Sequence, residues 1–352
     1  MATLFEKLTL NNENLGSIRD AVQETLFNDE NFNQYVTIAK VKHGDPIATI
    51  GEMEMVGRKG SGCDPTYDEK GIANSMKRWE LGDWQIPIKI CYESLKGTIA
   101  EYSLKTGTQI GDLTDTDVMA IYTAALTRAI QQMIWRFGWF GDTAAQNVTE
   151  GGKITDGVAT DLFTTCDGLF KRIFAICASK PAQRTTIAAN AKTTAAEQKS
   201  TMLAKGAATD LIDQLLMDAD SRILDDGSAV LMMTRSLADA LTYDIKKTYQ
   251  QIMPWEKVFD GFDVANYNGV TIARISIWDR LIAANEKGTT TVNLPYRAVF
   301  ANPKQLLVGT PQESLISDLD IWFSKKERRN YIYSTGKIGT AVLEEKLVHA
   351  AY

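Results

Sequence analysis

The longest regular pattern of apolar residues in the chain lies between residues 118 and 137. Apolar side chains recur there every three or four positions, which is the spacing of one face of an α-helix. Thr114 suits the N-cap, Asp117 stands three residues later as the acid of a capping box, and Gly138 suits the C′ position. The pattern predicts a helix from about Asp115 to Phe137, on the order of 35 Å long at 1.5 Å per residue. Its predicted apolar face comprises Val118, Ile121, Tyr122, Leu126, Ala129, Ile130, Met133, Ile134 and Phe137.

Three aromatic residues, Trp135, Trp139 and Phe140, crowd the predicted end of this helix. One interpretation is a stacking platform for a base or a sugar. The other is an anchor that holds the end of the helix in a hydrophobic core, and we favour it because buried aromatic side chains usually serve packing.

Before the helix, the apolar period changes to two at about Pro46, which is typical of β-strands. Met53 and Met55 alternate with glutamates, and the motif QIPIKIC at residues 85–91 alternates in the same way. The glycine-rich stretch from Gly57 to Gly71 lies between them. We therefore expect a long two-stranded ribbon with a glycine-rich tip. A ribbon of this kind buries too little apolar surface to be stable alone, so it needs a surface to lie against.

The rest of the chain predicts an arm, an α/β region and a β-rich end. The first 35 residues are polar and rich in asparagine, and the run from Ser179 to Ser200 is polar enough to be exposed or mobile. Asn302 suits the cap of a short helix that has Pro303 at its first position. Helices are predicted over 167–173, 208–223 and 236–249, and strands over 229–234, 269–277, 296–300, 319–323, 330–333 and 338–348.

Composition narrows the class of protein. The chain has 352 residues, of which 44% are hydrophobic, enough for about two domains with real cores. The net charge of -6 argues against a protein whose main work is to hold nucleic acid in a basic groove. The apolar runs fall short of the roughly 20 residues of a membrane span, and the first residues lack the order of a signal peptide. We expect a protein made in the cytoplasm, with its four scattered cysteines reduced.

Signals for catalysis are scarce. Histidine occurs only at His43 and His349, so a catalytic triad or a histidine-rich metal site has little to draw on. The acidic run at residues 218–226 has Ile223 where a calcium loop requires glycine, which favours a solvated helix end. The basic cluster at residues 325–329 is better explained by a charged turn than by a phosphate site. We therefore predict no catalytic residue, no cofactor and no metal.

The order of these elements resembles that of the major capsid protein of tailed bacteriophages, which has the HK97-type fold. In that family a "GD…(D/E)GL" pattern follows the long helix, and Gly141-Asp142 and Asp167-Gly168-Leu169 occupy those places here. The stretch AVLMMTRSLADAL at residues 229–241 resembles a strand-helix step of the axial (A) domain. Residues 318–350 are similar to the closing section of the family. The resemblance covers essentially the whole chain.

The resemblance implies an α+β, HK97-like capsid fold and a division of the chain. Residues 1–45 would form an N-terminal arm, 46–93 the E-loop hairpin, 94–166 the peripheral (P) domain with its spine helix, 167–317 the α/β A domain, and 318–352 a return to the P domain. The implied intersubunit residues of the E-loop are Gly57, Arg58, Lys59, Gly60, Asp64, Glu69 and Lys70. The implied structural residues of the spine helix are Thr114, Asp117, Trp135, Phe137, Gly138, Trp139 and Phe140.

The function that the resemblance implies is self-assembly into the icosahedral shell of a virion, built from hexamers and pentamers around double-stranded DNA bound without sequence specificity. A portal protein and separate scaffolding and decoration proteins would be partners, and assembly would take place in the host cytoplasm without a membrane. Only about 35 residues precede the ribbon, so removal of a large prosegment is not expected. Lys59 and Lys70 lie near the tip, but we expect a non-covalent shell. Two alternatives stay open: an encapsulin-like compartment of the same fold, and an α/β enzyme that uses acidic residues with a metal.

Overall fold

The structure is a computed structural model of the 352-residue chain. It describes residue 32 and residues 34–57, 59, 67, 69–91, 117–148, 153–248, 250–259, 262–311, 319–324 and 329–352. Two hydrophobic cores, one on each face of a seven-stranded sheet, account for most of the buried side chains in these ranges.

The long predicted helix is present as α1, Asp117–Phe140, with 24 residues and a length of about 36 Å. Its buried positions follow the predicted period at Leu126, Ile130, Met133, Ile134 and Phe137. Ala129, predicted on the apolar face, is exposed. The predicted end was wrong, because the helix continues through Gly138 for three residues. Thr114 and the side chain of Asp117 lie outside the described residues, so the predicted capping box stays a prediction.

Six further α-helices follow in the described part of the chain. They are α2 (Leu169–Ser179), α3 (Ala195–Met202), α4 (Ala207–Asp218), α5 (Ser221–Leu224), α6 (Arg235–Thr248) and α7 (Ser276–Asn285). The single helix predicted over 208–223 is divided into α4 and α5, because Ala219 is extended and Asp220 caps a new helix by accepting a hydrogen bond from the Arg222 amide. Asn302 and Pro303 begin a short 3-10 helix, as predicted.

The strands of the described residues are short except for one. They are β1 (Thr37–Lys40), β2 (Pro46–Met53), β3 (Ile72–Arg78), β4 (Gly82–Cys91), β5 (Asn147–Val148), β6 (Ile154–Thr155), β7 (Arg184–Thr185), β8 (Val230–Thr234), β9 (Glu256–Phe259), β10 (Phe262–Tyr267), β11 (Val270–Ile275), β12 (Ala298–Ala301), β13 (Leu306–Thr310), β14 (Leu319–Ser324), β15 (Arg329–Val342) and β16 (Val348–Ala351).

The larger sheet has the order β7-β16-β12-β8-β11-β10-β9. Its central strands are apolar on both faces because helices cover both faces. Leu231 and Met233 of β8 belong to the core beneath α4 and α6, whereas Met232 belongs to the core shared with α1, α2 and α7. The C-terminal strand β16 lies inside this sheet, between β12 and the two-residue strand β7.

The smaller sheet contains β1, β13, β15 and β14, with β4 also paired to β15. The predicted ribbon of residues 53 and 85–91 was wrong in its second strand. QIPIKIC belongs to β4, which pairs with β15 from Gly82 opposite Ile338 to Cys91 opposite Arg329. The hairpin partner of β2 is β3. The reason is burial: Trp84, Ile86 and Ile88 of β4 pack on the core around α1, which the hairpin does not reach.

The polar run from Ser179 to Ser200 is more ordered than predicted. It contributes β7 and the start of α3, where Thr194 and Glu197 form a reciprocal capping box. Ile187 and Ala189 are buried within it. Alanine is often buried although it contributes little to a hydrophobic pattern, and a single isoleucine does not make a period.

Candidate functional site

The aromatic residues at the end of α1 are buried, which excludes a stacking platform open to a ligand. Trp139 has no exposed surface, and Trp135 and Phe140 are also buried. The Trp139 ring lies 4.6 Å from that of Trp278 in α7 and 5.1 Å from that of Phe170 in α2. These rings join the end of α1 to two other helices, as the anchoring interpretation predicts.

Gly138 provides space on the same turn of α1. A Cβ atom at this position would lie 2.8 Å from Cζ of Phe32, which is closer than real side chains approach. Phe32 itself packs edge-on against Trp135 at 5.2 Å, and Trp135 in turn contacts Phe262 of β10 at 5.3 Å. The segment before β1 is therefore held against the helix by a ring that only glycine admits.

The two halves of the "GD…DGL" pattern meet at the end of α1. The amide of Gly168 donates a hydrogen bond of 2.7 Å to the carbonyl of Gly141. A Cβ atom on Gly168 would lie 2.6 Å from the Gly141 nitrogen, and one on Gly141 would overlap the carbonyl of Cys166. The two backbones touch directly, which is why both positions need glycine.

Lys171 binds the two aspartates of the pattern to each other. Its Nζ lies 2.7 Å from Asp142 and 2.6 Å from Asp167. The amide and hydroxyl of Thr143 also donate to Asp167. Burial opposes ionisation of both aspartates, but their hydrogen bonds with Lys171 and backbone amides outweigh it and lower each pKa from the ordinary 3.8. The arrangement is an ion-paired clamp across the junction.

A second ion pair lies behind the aromatic rings. Arg297 and Glu286 are both buried and bound to each other, and Arg297 also donates to the carbonyl of Leu294 at 2.8 Å. The guanidinium lies 5.4 Å from the ring of Phe140 and 5.0 Å from that of Phe170. Burial raises the pKa of Glu286, and the charge of Arg297 opposes that rise. The groups that surround this ion pair serve packing, and the pair links α7 to the end of α1.

The remaining reactive groups do not converge. The His349 ring is bonded to Thr185 inside the sheet, and burial lowers its pKa. Nδ1 of His43 accepts a hydrogen bond from the Leu81 amide. Burial raises the pKa of the Cys166 thiol to about 12. Among the residues that the structure describes, no group of three or more histidine, cysteine, aspartate or glutamate side chains is placed to hold a metal.

One open cleft of ≈ 1300 Å³ lies between α1 and the β4–β15 pair. Lys42, Arg136 and Asp161 are among its charged lining residues, and Trp84 and Tyr333 among its aromatic ones. The Arg136 side chain points toward the protein, since its Nε donates to the Leu162 carbonyl at 2.9 Å.

No helix in the described ranges has the length and apolarity needed to cross a bilayer.

The predicted intersubunit residues that the structure describes lie at the far end of the β2–β3 hairpin. Gly57 has a positive φ of 92°, and the exposed residues there include Lys59, Glu69 and Lys70. Arg58, Gly60 and Asp64 are outside the described residues. Large apolar side chains of the hairpin are also exposed, with Met55 at 93% toward the tip and Met76 at 67% closer to the root. At its root the hairpin is held by Lys77, whose Nζ lies 2.7 Å from Glu345.

Sequence reasoning identified the aromatic anchor and the glycine-aspartate pattern, but it missed four residues that complete the junction. Phe32 lies in a segment that reads as a polar arm, and Glu286 and Arg297 lie in an ordinary polar stretch. The sequence does contain a signal for Lys171, which follows Asp167 by four residues. This is the spacing of an ion pair on one helix face.

Comparisons with known proteins identify the fold. No protein-family model and no curated protein matches the chain. Among solved structures, a chain of the satellite phage P4 procapsid with its size determination (Sid) protein superposes with a TM-score of 0.51 over 96% of this chain and 98% of that one, at 12% identity. The chain has the HK97-type fold. The predicted fold class, α+β and HK97-like, is thereby confirmed.

Other structures with the HK97-type fold give similar alignments. Mycobacterium phage Ogopogo matches with a TM-score of 0.49 and 13% identity, over 91% of this chain and 90% of that chain. An encapsulin complex from Synechococcus elongatus matches with a TM-score of 0.48 and 9% identity, over 92% and 86%.

Proposed function

We propose that the chain is the major capsid protein of a tailed bacteriophage and assembles into an icosahedral shell around double-stranded DNA. The observation that carries the proposal is the end-to-end match of its fold to a chain of a phage procapsid. The alignment spans 96% of this chain and 98% of that one, which supports a shell protein built on the same architecture. The work of such a protein is done by its surfaces, and its buried junction keeps those surfaces in place.

The proposed division of the chain follows the sheets. The hairpin of β2 and β3, with the tip between them, would be the E-loop. The helix α1 with the sheet of β1, β4, β13, β14 and β15 would be the P domain, and the seven-stranded sheet with its helices would be the A domain. The segment before Phe32 would be the N-terminal arm. Compared with the sequence expectation, β1, β4 and β13 move to the P domain and β16 moves to the A domain.

The proposed mechanism is cooperative closure by several modest contacts. The exposed side chains Met53, Met55 and Met76 of the hairpin would lie on a neighbouring subunit, with Lys59, Glu69 and Lys70 supplying polar contacts at the tip. Because each subunit in a closed shell is held by several neighbours at once, weak single contacts add up to a stable particle. A net charge of -6 would also let packaged DNA move without sticking.

Hexamers and pentamers would form in the host cytoplasm, and the completed shell would be part of the virion. A portal protein and separate scaffolding and decoration proteins complete the proposed set of partners. No catalytic step is assigned to the chain.

Electron microscopy of the purified protein tests this proposal. Closed icosahedral particles are the expected result, and monodisperse monomers under all assembly conditions would overturn it. The contents of the particles separate the two shell functions: packaged DNA supports a phage capsid, whereas a defined protein cargo supports an encapsulin-like compartment.

A further inference from the structure

Two groups of exposed apolar residues lie outside the hairpin, on the domain built around the seven-stranded sheet. The first, the acidic patch, consists of Met217 and Asp218 at the end of α4 with Leu224 and Asp225 at the end of α5. Met217 is 76% exposed. Single exposed apolar residues are common, but here two of them are flanked by two exposed carboxylates.

The second group, the basic patch, consists of Tyr243, Lys246 and Lys247 of α6 together with Ile252 and Val258. Ile252 is 83% exposed. The Lys247 ammonium lies 5.5 Å from the Tyr243 ring, so a positive charge stands beside an exposed aromatic side chain. Both lysines also stand in the last turn of α6, where the helix dipole favours positive charge.

The two patches lie toward opposite edges of the sheet. α4 packs against β7 and β16 at one edge, and Asp218 is near enough to His349 of β16 to act on its charge. The basic patch reaches β9 at the other edge, where Trp255 donates a hydrogen bond of 2.9 Å to Thr242 and so holds the segment after α6 against the helix. One copy therefore presents unlike surfaces on its two sides.

Charge decides which pairing these surfaces allow. A two-fold contact would bring each patch against itself, so carboxylates would meet carboxylates and ammonium groups would meet ammonium groups. A head-to-tail contact brings the acidic patch of one copy against the basic patch of the next and buries the apolar side chains of both. Repetition of a head-to-tail contact closes into a ring when the rotation between copies permits.

We propose that the acidic patch of one copy binds the basic patch of the next copy of this chain, and that this contact closes the ring of a capsomer. The inference rests on the proposed shell function and assigns the ring contact to surfaces separate from the hairpin. Asp218 and Asp225 face Lys246 and Lys247 across the contact, while Met217, Leu224 and Ile252 supply its apolar part.

Two charge-reversal variants test the contact. Asp218→Lys with Asp225→Lys gives a copy that is basic on both sides, and Lys246→Asp with Lys247→Asp gives a copy that is acidic on both sides. Each variant alone is expected to lose ring and shell assembly by about tenfold or more, judged by light scattering and electron microscopy. Lys192→Asp with Lys199→Asp, at exposed sites outside both patches, is the matched control and assembles like the parent protein.

An equimolar mixture of the two variants makes the test specific. Each all-basic copy can bind an all-acidic copy on both sides, so the mixture is expected to recover rings with an even number of subunits. Variants that assemble alone like the parent protein, or a mixture of folded variants that stays unassembled, would overturn the proposal. Circular dichroism checks folding, and Asn and Gln replacements at the same four positions serve if a reversal variant does not fold.

Assembly of the unaltered protein distinguishes failure of this inference from failure of the proposed function. If the unaltered chain forms no particles, the shell function fails. If it forms shells that ignore both reversals, only the ring contact assigned here is wrong.

Discussion

Single residues in this protein are explained by what stands next to them in space. Gly138 occupies a position where a sequence pattern indicates the end of a helix, yet α1 continues past it. Its lack of a side chain serves Phe32, which comes from a segment more than a hundred residues away in the chain. A glycine inside a helix costs roughly 1 kcal/mol relative to alanine, so the space for Phe32 must be worth more than that.

Gly138→Ala should therefore destabilise the protein although alanine is the better helix former. The added Cβ would lie 2.8 Å from Cζ of Phe32, and overpacking of this kind costs about 1–3 kcal/mol, which exceeds the gain in propensity. Urea unfolding measures the difference. Gly227→Ala, where a Cβ atom meets nothing within 4 Å, is the control. Combining Gly138→Ala with Phe32→Leu should restore part of the loss; a single variant as stable as the parent would contradict the explanation.

Lys171→Met tests the clamp between Asp142 and Asp167. Near neutral pH the substitution should lower the free energy of unfolding by about 1–2 kcal/mol, because it removes the cation that lies between two partly buried carboxylates. Both carboxylates have a folded-state pKa below the ordinary 3.8, so their contribution is present above that pH and is lost as the pH falls through the lowered values. The gap between parent and variant should narrow in that range.

Urea unfolding at neutral and acidic pH gives both quantities. Lys153→Met is the matched control, because its ammonium lies 3.3 Å from Asp142 and is mostly exposed. A gap for Lys171→Met that stays constant as the pH falls below 3.8 would mean that the clamp is not the cause.

Among the secondary-structure elements, the hairpin of β2 and β3 differs from the rest of the protein. The two larger sheets pack against helices, whereas the hairpin exposes methionines along its length. In the described part of the chain, it is tied to the domain only near its root, through Ile47, Trp79 and Lys77. A two-stranded hairpin is marginal in water by itself. Under the proposed function, a surface on a neighbouring subunit would complete it.

Met55→Glu should separate folding from assembly. The side chain is 93% exposed, so the free energy of unfolding of the isolated subunit should change by less than about 0.5 kcal/mol. Burying the new carboxylate against a neighbour without a partner is unfavourable, so shells should form poorly. Circular dichroism and electron microscopy report the two properties, with exposed Lys192→Glu as control. Normal shells from Met55→Glu would show that this part of the hairpin stays in solvent after assembly.

The molecule as a whole is held together by contacts between segments far apart in the chain. Phe32 from the N-terminal side, Trp135 from α1 and Phe262 from β10 form one aromatic contact between the helix layer and the large sheet. The C-terminal strand β16 enters the same sheet beside β12. Both ends of the described chain are therefore built into the core that carries the proposed assembly surfaces.

Trp135→Ala should weaken the contact between the helix layer and the large sheet. Removing a buried aromatic side chain costs about 3–5 kcal/mol, because the lost contacts are accompanied by a cavity between the layers. Thermal unfolding should shift strongly and shell yield should fall. Trp255→Ala, at a half-buried tryptophan, should shift unfolding less. Stability equal to that of the parent, or a specific enzymatic activity lost with Trp135, would refute the interpretation.

Local pattern alone predicted α1, α2, α6, the strands around residues 230 and 272, and the cap at Asn302, because side-chain period and capping chemistry are properties of neighbouring residues. The same local information could not identify the strand that pairs with QIPIKIC, since an alternating apolar pattern does not specify its partner strand. The long-range burial of Trp84 against α1 and the 10-residue register with β15 made that choice.

The contrast is sharpest at the end of α1. The sequence was sufficient for the long helix, the aromatic anchor and the paired "GD" and "DGL" motifs, all of which lie within short windows of the chain. Folding in three dimensions was needed to bring Phe32 onto Gly138, Lys171 between Asp142 and Asp167, and Arg297 behind the aromatic rings. The reason is physical: excluded volume and ion pairing act between atoms that are close in space, and the order of residues does not specify which distant atoms those are.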